Sequence, residues 1–188
     1  MTAKEEDILT STNLIEQGVV ITRLLESVIA DPKVKLDDLV IGDKNAIMIG
    51  TRILGYGKDY GITLIDPDTN ERVEHVVDLT KLENKSIDEK LFENGNNFTF
   101  ELPNSKRVIG FRILTQKDEK QIEETLKDYE KAEKLTGISY NLTTRLKHQI
   151  VSIDEKTDQK EIDNFVDNEF LALDSREFRK HLDEITPD

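Results

Sequence analysis

The stretch that decides the fold covers residues 98–114 and reads Phe98-Thr99-Phe100-Glu101-Leu102-Pro103-Asn104-Ser105-Lys106-Arg107-Val108-Ile109-Gly110-Phe111-Arg112-Ile113-Leu114. Its first five residues alternate strictly between apolar and polar side chains. A turn-forming Pro-Asn-Ser sequence then separates them from a second apolar run. Alternation with a period of two, followed by such a turn, is typical of an antiparallel β-hairpin. The stretch therefore predicts two strands joined by a short loop.

A second hairpin is predicted upstream of the first. Stretches rich in strand-forming residues at 62–65 and 73–77 flank the turn-rich sequence Asp66-Pro67-Asp68-Thr69-Asn70. The first, third and fifth residues of this loop match the start of a calcium-binding loop. The pattern then fails, because Glu71 replaces the required Gly and Val77 replaces the bidentate Glu. We therefore interpret the loop as a hairpin turn.

Helical periodicity lies on both sides of the hairpins. Asp43 precedes an apolar helix that extends to about Leu54, and we expect this carboxylate to be the helix cap. Gly55, Gly57 and Gly61 end that helix. Further helices are predicted at 117–135, through Leu142, Leu146 and Ile150, at about 159–170 and at 174–185, with Asp174 as capping candidate for the last.

The N-terminal 33 residues predict a helical arm. Its apolar residues recur at spacings of three to five and form one stripe, which comprises Ile8, Leu9, Leu14, Ile15, Val19, Val20, Leu24, Leu25, Val28 and Ile29. Such a stripe needs a covering surface, either this chain's own core or another chain. We take Leu14, Ile15, Leu24 and Leu25 as candidate protein contacts.

These patterns together predict an α+β fold. A small antiparallel sheet of two hairpins would pack with helices, flanked by the N-terminal helical arm and a C-terminal helical bundle. The predicted organisation is an arm at residues 1–33, an α+β core domain at 34–136 and a C-terminal helical subdomain at 137–188. We expect the main core to contain Ile47, Ile53, Phe100, Val108, Phe111, Ile122 and Leu126.

The composition of the chain argues against several classes of function. The 188 residues carry 26 Lys and Arg against 39 Asp and Glu, a net charge of −13. That charge disfavours binding to nucleic acid or to anionic lipid surfaces. The absence of cysteine excludes disulfides, thiol catalysis and cysteine-based metal sites. No run approaches the length of a membrane span, and the acidic N-terminus lacks the apolar stretch of a signal peptide, so we expect synthesis in the cytoplasm.

The sequence contains no pattern that points to catalysis. His75, His148 and His181 lie far apart and form no metal-binding pair, and no phosphate-binding loop or nucleophile elbow is present. We therefore expect no enzymatic activity and no cofactor or metal. A small hydrolase or metal enzyme stays open as a minor alternative.

Basic side chains are further candidates for protein contact. They are Arg52, Arg145, Lys147, Arg176 and Arg179. Arginine is enriched at contact surfaces because its planar guanidinium can pair in two directions while its stem covers apolar area. The alternative is that each one pairs locally with the abundant carboxylates.

Part of the chain resembles a known family. The sequence Gly42-Asp43-Lys44-Asn45-Ala46-Ile47-Met48-Ile49, followed by Arg52-Ile53 and by residues 56–60, resembles the Gly-Asp-(Arg/Lys)-Asn-Ala-Ile signature of a baseplate protein family. That family comes from T-even-type contractile-tailed bacteriophages. Residues 98–103 with 112–115, residues 142–150 and Asp174-Ser175-Arg176 are similar to its later elements. The resemblance covers residues 39–188.

The resemblance implies a non-catalytic structural subunit in or around the baseplate hub. Its partners would be other tail or baseplate proteins, such as hub, tape-measure or tube proteins, and its location the virion. The alternative within the family is a transient assembly chaperone that binds a tail protein such as the tape measure. Relatives carry Cys-x-x-Cys at the tip of the first hairpin, whereas this chain has residues 66–70 there, so no metal role is implied.

Overall fold

The computed structural model describes residues 1–187, except for the side chain of residue 89. The protein is α+β, as predicted, and it divides into two compact units, Met1–Lys85 (unit 1) and Ser86–Pro187 (unit 2). The division falls inside the predicted 34–136 domain rather than at residues 33 and 136. The two predicted hairpins consequently lie in separate units.

Unit 1 contains four α-helices followed by a two-stranded antiparallel sheet. Their bounds are α1 Ala3–Leu9, α2 Thr12–Glu16, α3 Val20–Val28, α4 Ile41–Tyr56, β1 Asp59–Ile65 and β2 Arg72–Asp78. Single turns of 3₁₀ helix lie at Leu36–Asp38 and Leu79–Lys81.

The predicted N-terminal arm is three short helices that fold back within unit 1. Gly18 has a positive φ of 70°, a conformation that glycine adopts without strain, and it separates α2 from α3. A capping box starts α1, in which the Thr2 backbone N–H donates to Glu5 Oε2 at 2.6 Å. The Thr2 hydroxyl donates to the same oxygen at 2.7 Å. Helix α3 contacts both α1 and α4. The apolar stripe is therefore covered in part by its own unit.

Asp43 does not cap α4, which corrects the sequence prediction. The helix begins two residues earlier, with Val40 at the N-cap position and Asp43 in the first turn. The apolar run that precedes Asp43 continues into the helix, so the helical geometry starts before the carboxylate. In the first turn its charge still favours the positive end of the helix dipole. Gly57, at a φ of 83°, ends the helix.

Unit 2 contains four α-helices and a three-stranded antiparallel sheet. Their bounds are β3 Phe98–Glu101, β4 Val108–Phe111, α5 Gln116–Thr136, α6 Asn141–Gln149, β5 Ile150–Ile153, α7 Gln159–Asn164 and α8 Ala172–Ile185. A 3₁₀ turn lies at Glu89–Phe92 and a π-helical turn at Phe165–Glu169. The decisive hairpin is β3–β4, with Phe98 paired to Phe111 and Glu101 to Val108.

The sheet of unit 2 has the order β3-β4-β5. The sequence predicted one sheet of two hairpins, whereas in the structure the β3–β4 hairpin pairs with β5 instead of with the first hairpin. Residues 150–153 directly follow α6, and their apolar residues continue the helical spacing of Leu142 and Leu146. The sequence therefore predicted helix where the structure has a strand. Gly110 on β4 permits this pairing, because a Cβ at that position would collide with the Ser152 hydroxyl.

The core of unit 2 surrounds Phe111. Phe111 contacts Phe178 edge-on at 5.0 Å between ring centroids and stacks with Phe98 at 5.4 Å. Phe111 and Ile122 are buried as predicted, whereas Val108 is 43% exposed and its neighbour Ile109 is buried instead. The remaining predicted core residues are half-buried: Phe100 and Leu126 in unit 2, and Ile47 and Ile53 in unit 1.

Two buried carboxylates hold unit 2 together. Asp118 accepts from Arg112 Nη2 at 2.7 Å and completes a capping box with Thr115 at the start of α5. Asp174 is fully buried and accepts from the Asn104 backbone N–H, the Asn104 side-chain amide and the Ser105 backbone N–H at 2.8, 2.8 and 2.9 Å. It therefore ties the β3–β4 turn to α8. The predicted capping role belongs to another position, because α8 starts earlier, with Leu171 at the N-cap.

Candidate protein-contact surface

The candidate contacts on the N-terminal stripe fall into two groups. Leu24 and Leu25 are buried within unit 1, so they are core residues and not available to a partner. The reason is that α3 lies against α1 and α4 instead of projecting alone. Leu14 is half-buried, and Ile15 is 54% exposed on the short helix α2. Ile15 is therefore the most accessible of these four residues.

Arg52 is held at the end of α4 by two tyrosines and two carbonyl groups. Its guanidinium carbon lies 5.2 Å from the Tyr56 ring centroid and 5.6 Å from that of Tyr60. Its Nη1 donates to the Gly57 carbonyl at 3.0 Å, and Nη2 donates to the Asp59 carbonyl at 3.3 Å. Cation–π contacts of this kind are worth about 0.5–1 kcal/mol at exposed sites. The cluster connects the end of α4 to the start of β1.

An apolar groove lies beside this cluster, in unit 1. It has a volume of about 450 Å³, and its lining includes Ile21, Leu24, Met48, Tyr56, Tyr60 and Leu82. Apart from Leu24, each of these six side chains is exposed to a considerable extent. Large apolar side chains gathered in an open concave surface are a common feature of protein-binding sites.

The β1–β2 hairpin carries a second apolar surface. Its register pairs Tyr60 with Val77, Ile62 with His75 and Leu64 with Val73. Cross-strand partners point to the same side of a sheet, so the apolar hairpin face consists of Tyr60, Ile62, Leu64, Val73 and Val77. Leu64 is 52% exposed. Tyr60 belongs to both the face and the groove, which makes them one continuous surface.

The base of the hairpin is fixed by an ion pair. Lys58 Nζ lies 2.7 Å from Asp78 Oδ2, and Asp78 Oδ1 accepts from the backbone N–H and the hydroxyl of Thr80. The hydrogen bond from Lys58, together with those from Thr80, lowers the pKa of Asp78 to about 2. The same pair raises the pKa of Lys58.

The loop of the hairpin is closed by its own aspartate. Asp66 Oδ1 accepts from the backbone N–H groups of Asp68 and Thr69, at 2.8 and 3.4 Å, and these bonds lower the pKa of Asp66. Asn70 adopts a left-handed conformation, with a φ of 57°. The geometry is that of an Asx turn. Within the described part of the chain, no three His, Asp or Glu side chains come together as a metal site.

The basic candidate residues of unit 2 differ in whether they form ion pairs within the unit. Arg145 makes a two-pronged ion pair with Glu119, at 2.7 and 2.8 Å, and Lys147 pairs with Asp167 at 2.7 Å. Both charges are therefore used inside unit 2. Arg179 is exposed on α8, where its Nε donates to the Ser175 carbonyl at 3.3 Å.

Arg176, also on α8, is exposed and forms no ion pair with any of the described residues. It is therefore the basic candidate with most freedom to reach a partner.

The three histidines take separate positions. His75 is exposed on β2, and His181 stacks on Phe100 at 4.7 Å between ring centroids. His148 is half-buried, and burial lowers its pKa. The three histidines therefore lie on different elements, and their positions follow from local packing or from strand geometry.

The apolar hairpin face was not among the contact candidates predicted from the sequence. Its signal was present in the alternation of Tyr60, Ile62 and Leu64, matched by Val73 and Val77 across the turn. The sequence predicted that both hairpins form one sheet packed with helices, so this face was expected to be covered. The two-stranded sheet of unit 1 instead leaves much of this face open.

In comparisons of this chain with protein-family models, with curated proteins and with solved structures, nothing matched. Within residues 1–187, the structure contains no helix with the length and apolar character that crossing a membrane requires.

Proposed function

We propose that this protein is a non-catalytic structural subunit of a contractile phage tail, in or around the baseplate hub, which acts by binding other tail proteins. The family resemblance of residues 39–188 motivates the assignment to a tail. The observation that carries the binding role is the continuous apolar surface of unit 1, formed by the groove and the hairpin face.

This surface has the composition of a binding hot spot. Tyrosine and arginine are enriched among residues that dominate binding energy, and here Arg52 is held between Tyr56 and Tyr60 before any partner arrives. A side chain that is already ordered loses less conformational entropy on binding. At about 25 cal/mol per Å² of apolar area, covering even part of the groove would favour association.

A hub, tape-measure or tube protein that presents apolar side chains would suit this surface. Arg176 and Arg179 on α8 are the candidate contacts in unit 2. We propose the virion as the location and the host cytoplasm as the site of synthesis, with no cofactor, nucleic acid or membrane involved.

Incorporation into phage particles tests the proposal. Purified mature particles should contain the protein at a fixed stoichiometry, measured by quantitative mass spectrometry. Leu82→Glu places a charge in the groove and should reduce incorporation at least tenfold. Leu135→Glu is the matched control, because Leu135 is 87% exposed on α5 and does not line the groove. Reproducible absence from particles, or equal incorporation of both variants, would reject the proposal.

The alternative is an assembly chaperone that leaves before maturation. The net charge of −13 favours it, because a strongly charged protein stays soluble and exchanges freely. Such a protein would be abundant in infected-cell lysate, bound to a tail protein such as the tape measure, and absent from particles. The same mass spectrometry therefore separates the two roles.

A further inference from the structure

The two strands of the unit 1 hairpin differ in charge. Strand β1 carries one charged residue, Asp59 at its start, whereas β2 carries Arg72, Glu74 and Asp78 together with His75. Natural sheets place charged residues on edge strands and apolar residues on inner strands. Strand β1 thus has the composition of an inner strand, yet among the described residues β2 is its only neighbour.

The register shows which backbone groups of β1 face away from β2. The Leu79 N–H donates to the Lys58 carbonyl, and the Asp66 N–H donates to the Glu71 carbonyl. Hydrogen-bonded pairs alternate with non-hydrogen-bonded pairs along an antiparallel ladder. The even-numbered residues of β1 therefore bond to β2, and the N–H and C=O groups of Asp59, Gly61, Thr63 and Ile65 point outward.

One outward group has a partner already. Arg52 donates to the carbonyl of Asp59, which agrees with the outward direction derived from the register. The groups of Gly61, Thr63 and Ile65 make no hydrogen bond in the part of the chain that the structure describes. They form an open edge beside an apolar strand.

We propose that this edge pairs with β1 of a second copy of the chain. The strands run antiparallel about a two-fold axis at Ile62 and form a four-stranded sheet of order β2-β1-β1-β2. Gly61 and Thr63 exchange hydrogen bonds with Thr63 and Gly61 of the second copy. The charged β2 strands then become the outer edges, as in natural sheets.

Side-chain complementarity argues for a second copy as the occupant. In this register Ile62 faces the second copy's Ile62, and Tyr60 faces the second copy's Leu64, so the apolar hairpin faces of the two copies join. Asp59 falls opposite the second copy's Ile65, so no like charges face each other. The self-association goes beyond the proposed function and does not depend on it.

Single-cysteine variants test the register directly, because the chain contains no cysteine. Ile62 and its symmetry mate would form a non-hydrogen-bonded pair with Cα atoms about 4.5 Å apart, within the range that a disulfide spans. Ile62→Cys should therefore form a disulfide-linked dimer of twice the 21.6 kDa chain mass under mild oxidation.

His75→Cys, on the strand directly opposite Ile62 in the hairpin, is the matched control and should stay mostly monomeric. Linking of neither variant, or equal linking of both, would overturn the proposal.

A pair of proline variants tests the edge without cysteine. Thr63 and Glu74 are cross-strand partners, and both point their N–H groups away from the hairpin, so proline at either position spares the β1–β2 ladder. Thr63→Pro should raise the dissociation constant of the dimer at least tenfold in sedimentation experiments, whereas Glu74→Pro should leave it within about twofold. A monomeric wild-type protein, or equal behaviour of the two variants, would contradict the pairing.

Discussion

Unit 1 and unit 2 treat their apolar side chains differently. Among the described residues, fourteen of the buried apolar side chains lie in unit 2 and three in unit 1, namely Leu24, Leu25 and Leu36. Unit 2 also buries two carboxylates, Asp118 and Asp174, with hydrogen-bond partners for each. Unit 1 instead leaves the groove and the hairpin face open.

This difference predicts that the two units differ in stability. A two-stranded hairpin is marginally stable in water unless its apolar face is covered, and the hairpin of unit 1 is covered only in part. Unit 2 has a continuous core around Phe111 and stabilises itself. Under the proposed function, unit 1 would provide the binding surface and unit 2 a stable body.

Matched leucine truncations should expose the difference most strongly. Leu102 in unit 2 and Leu25 in unit 1 are both fully buried. Leu102→Ala should lower the free energy of unfolding of unit 2 by about 4 kcal/mol, and Leu25→Ala that of unit 1 by about 2 kcal/mol, because a sparse core relaxes around a cavity more easily. Hydrogen exchange in urea, followed separately for each unit, measures both values. Equal losses would contradict the comparison.

Removal of the Asp174 carboxylate comes next in size. Asp174→Ala leaves the backbone N–H groups of Asn104 and Ser105 without their acceptor. The loss should be about 3 kcal/mol in the free energy of unfolding, measured by urea denaturation. Glu184→Ala, an exposed acid on the same helix, is the control and should change stability by less than about 0.5 kcal/mol.

The same carboxylate should make unit 2 sensitive to acid. Burial alone would raise the pKa of Asp174, but the hydrogen bonds from Asn104 and Ser105 outweigh it and lower the pKa below 3.8. A lowered folded-state pKa stabilises the fold above the unfolded-state value, and this contribution is lost as the pH falls through the folded-state value.

The urea midpoint of unit 2 should therefore drop below about pH 4. In Asp174→Asn, which cannot titrate at this position, the drop should be smaller. An identical pH profile for the wild type and the variant would contradict the assignment.

The smallest effect is expected at the surface of unit 2. The side chains of Arg145 and Glu119 are 39% and 18% exposed, so solvent weakens their two-pronged pair. A double-mutant cycle with Arg145→Ala and Glu119→Ala should give a coupling of about 0.5–1 kcal/mol. A larger coupling would indicate that this pair belongs to the structural core of unit 2 rather than to its surface.

The elements that the sequence predicted well are those with local causes. The β3–β4 hairpin follows from alternation and a turn, and α5 follows from its apolar spacing and from Gly137, which ends it at a φ of 69°. Asp158 begins α7 by accepting from the N–H groups of Lys160 and Glu161. Each signal lies within a few residues of its effect.

The elements that were missed depend on distant partners. Strand β5 forms because the free edge of β4 accepts it, and Asp174 is used by a turn 70 residues earlier in the chain. Neither partner is visible in a local pattern. The N-terminal stripe was predicted to need a cover, either the chain's own core or another chain, and its buried residues Leu24 and Leu25 meet the chain's own helices. Periodicity identifies an apolar face without identifying what covers it.

The bond between Asp174 and the β3–β4 turn also has a consequence during translation. The turn is synthesised 70 residues before its carboxylate. At a synthesis rate of about 5–20 residues per second, the backbone amides of this turn lack their acceptor for roughly 4 to 14 s. Unit 1 precedes unit 2 in the chain and therefore leaves the ribosome before it. The apolar groove and hairpin face of unit 1 are consequently exposed to other proteins before unit 2 has folded.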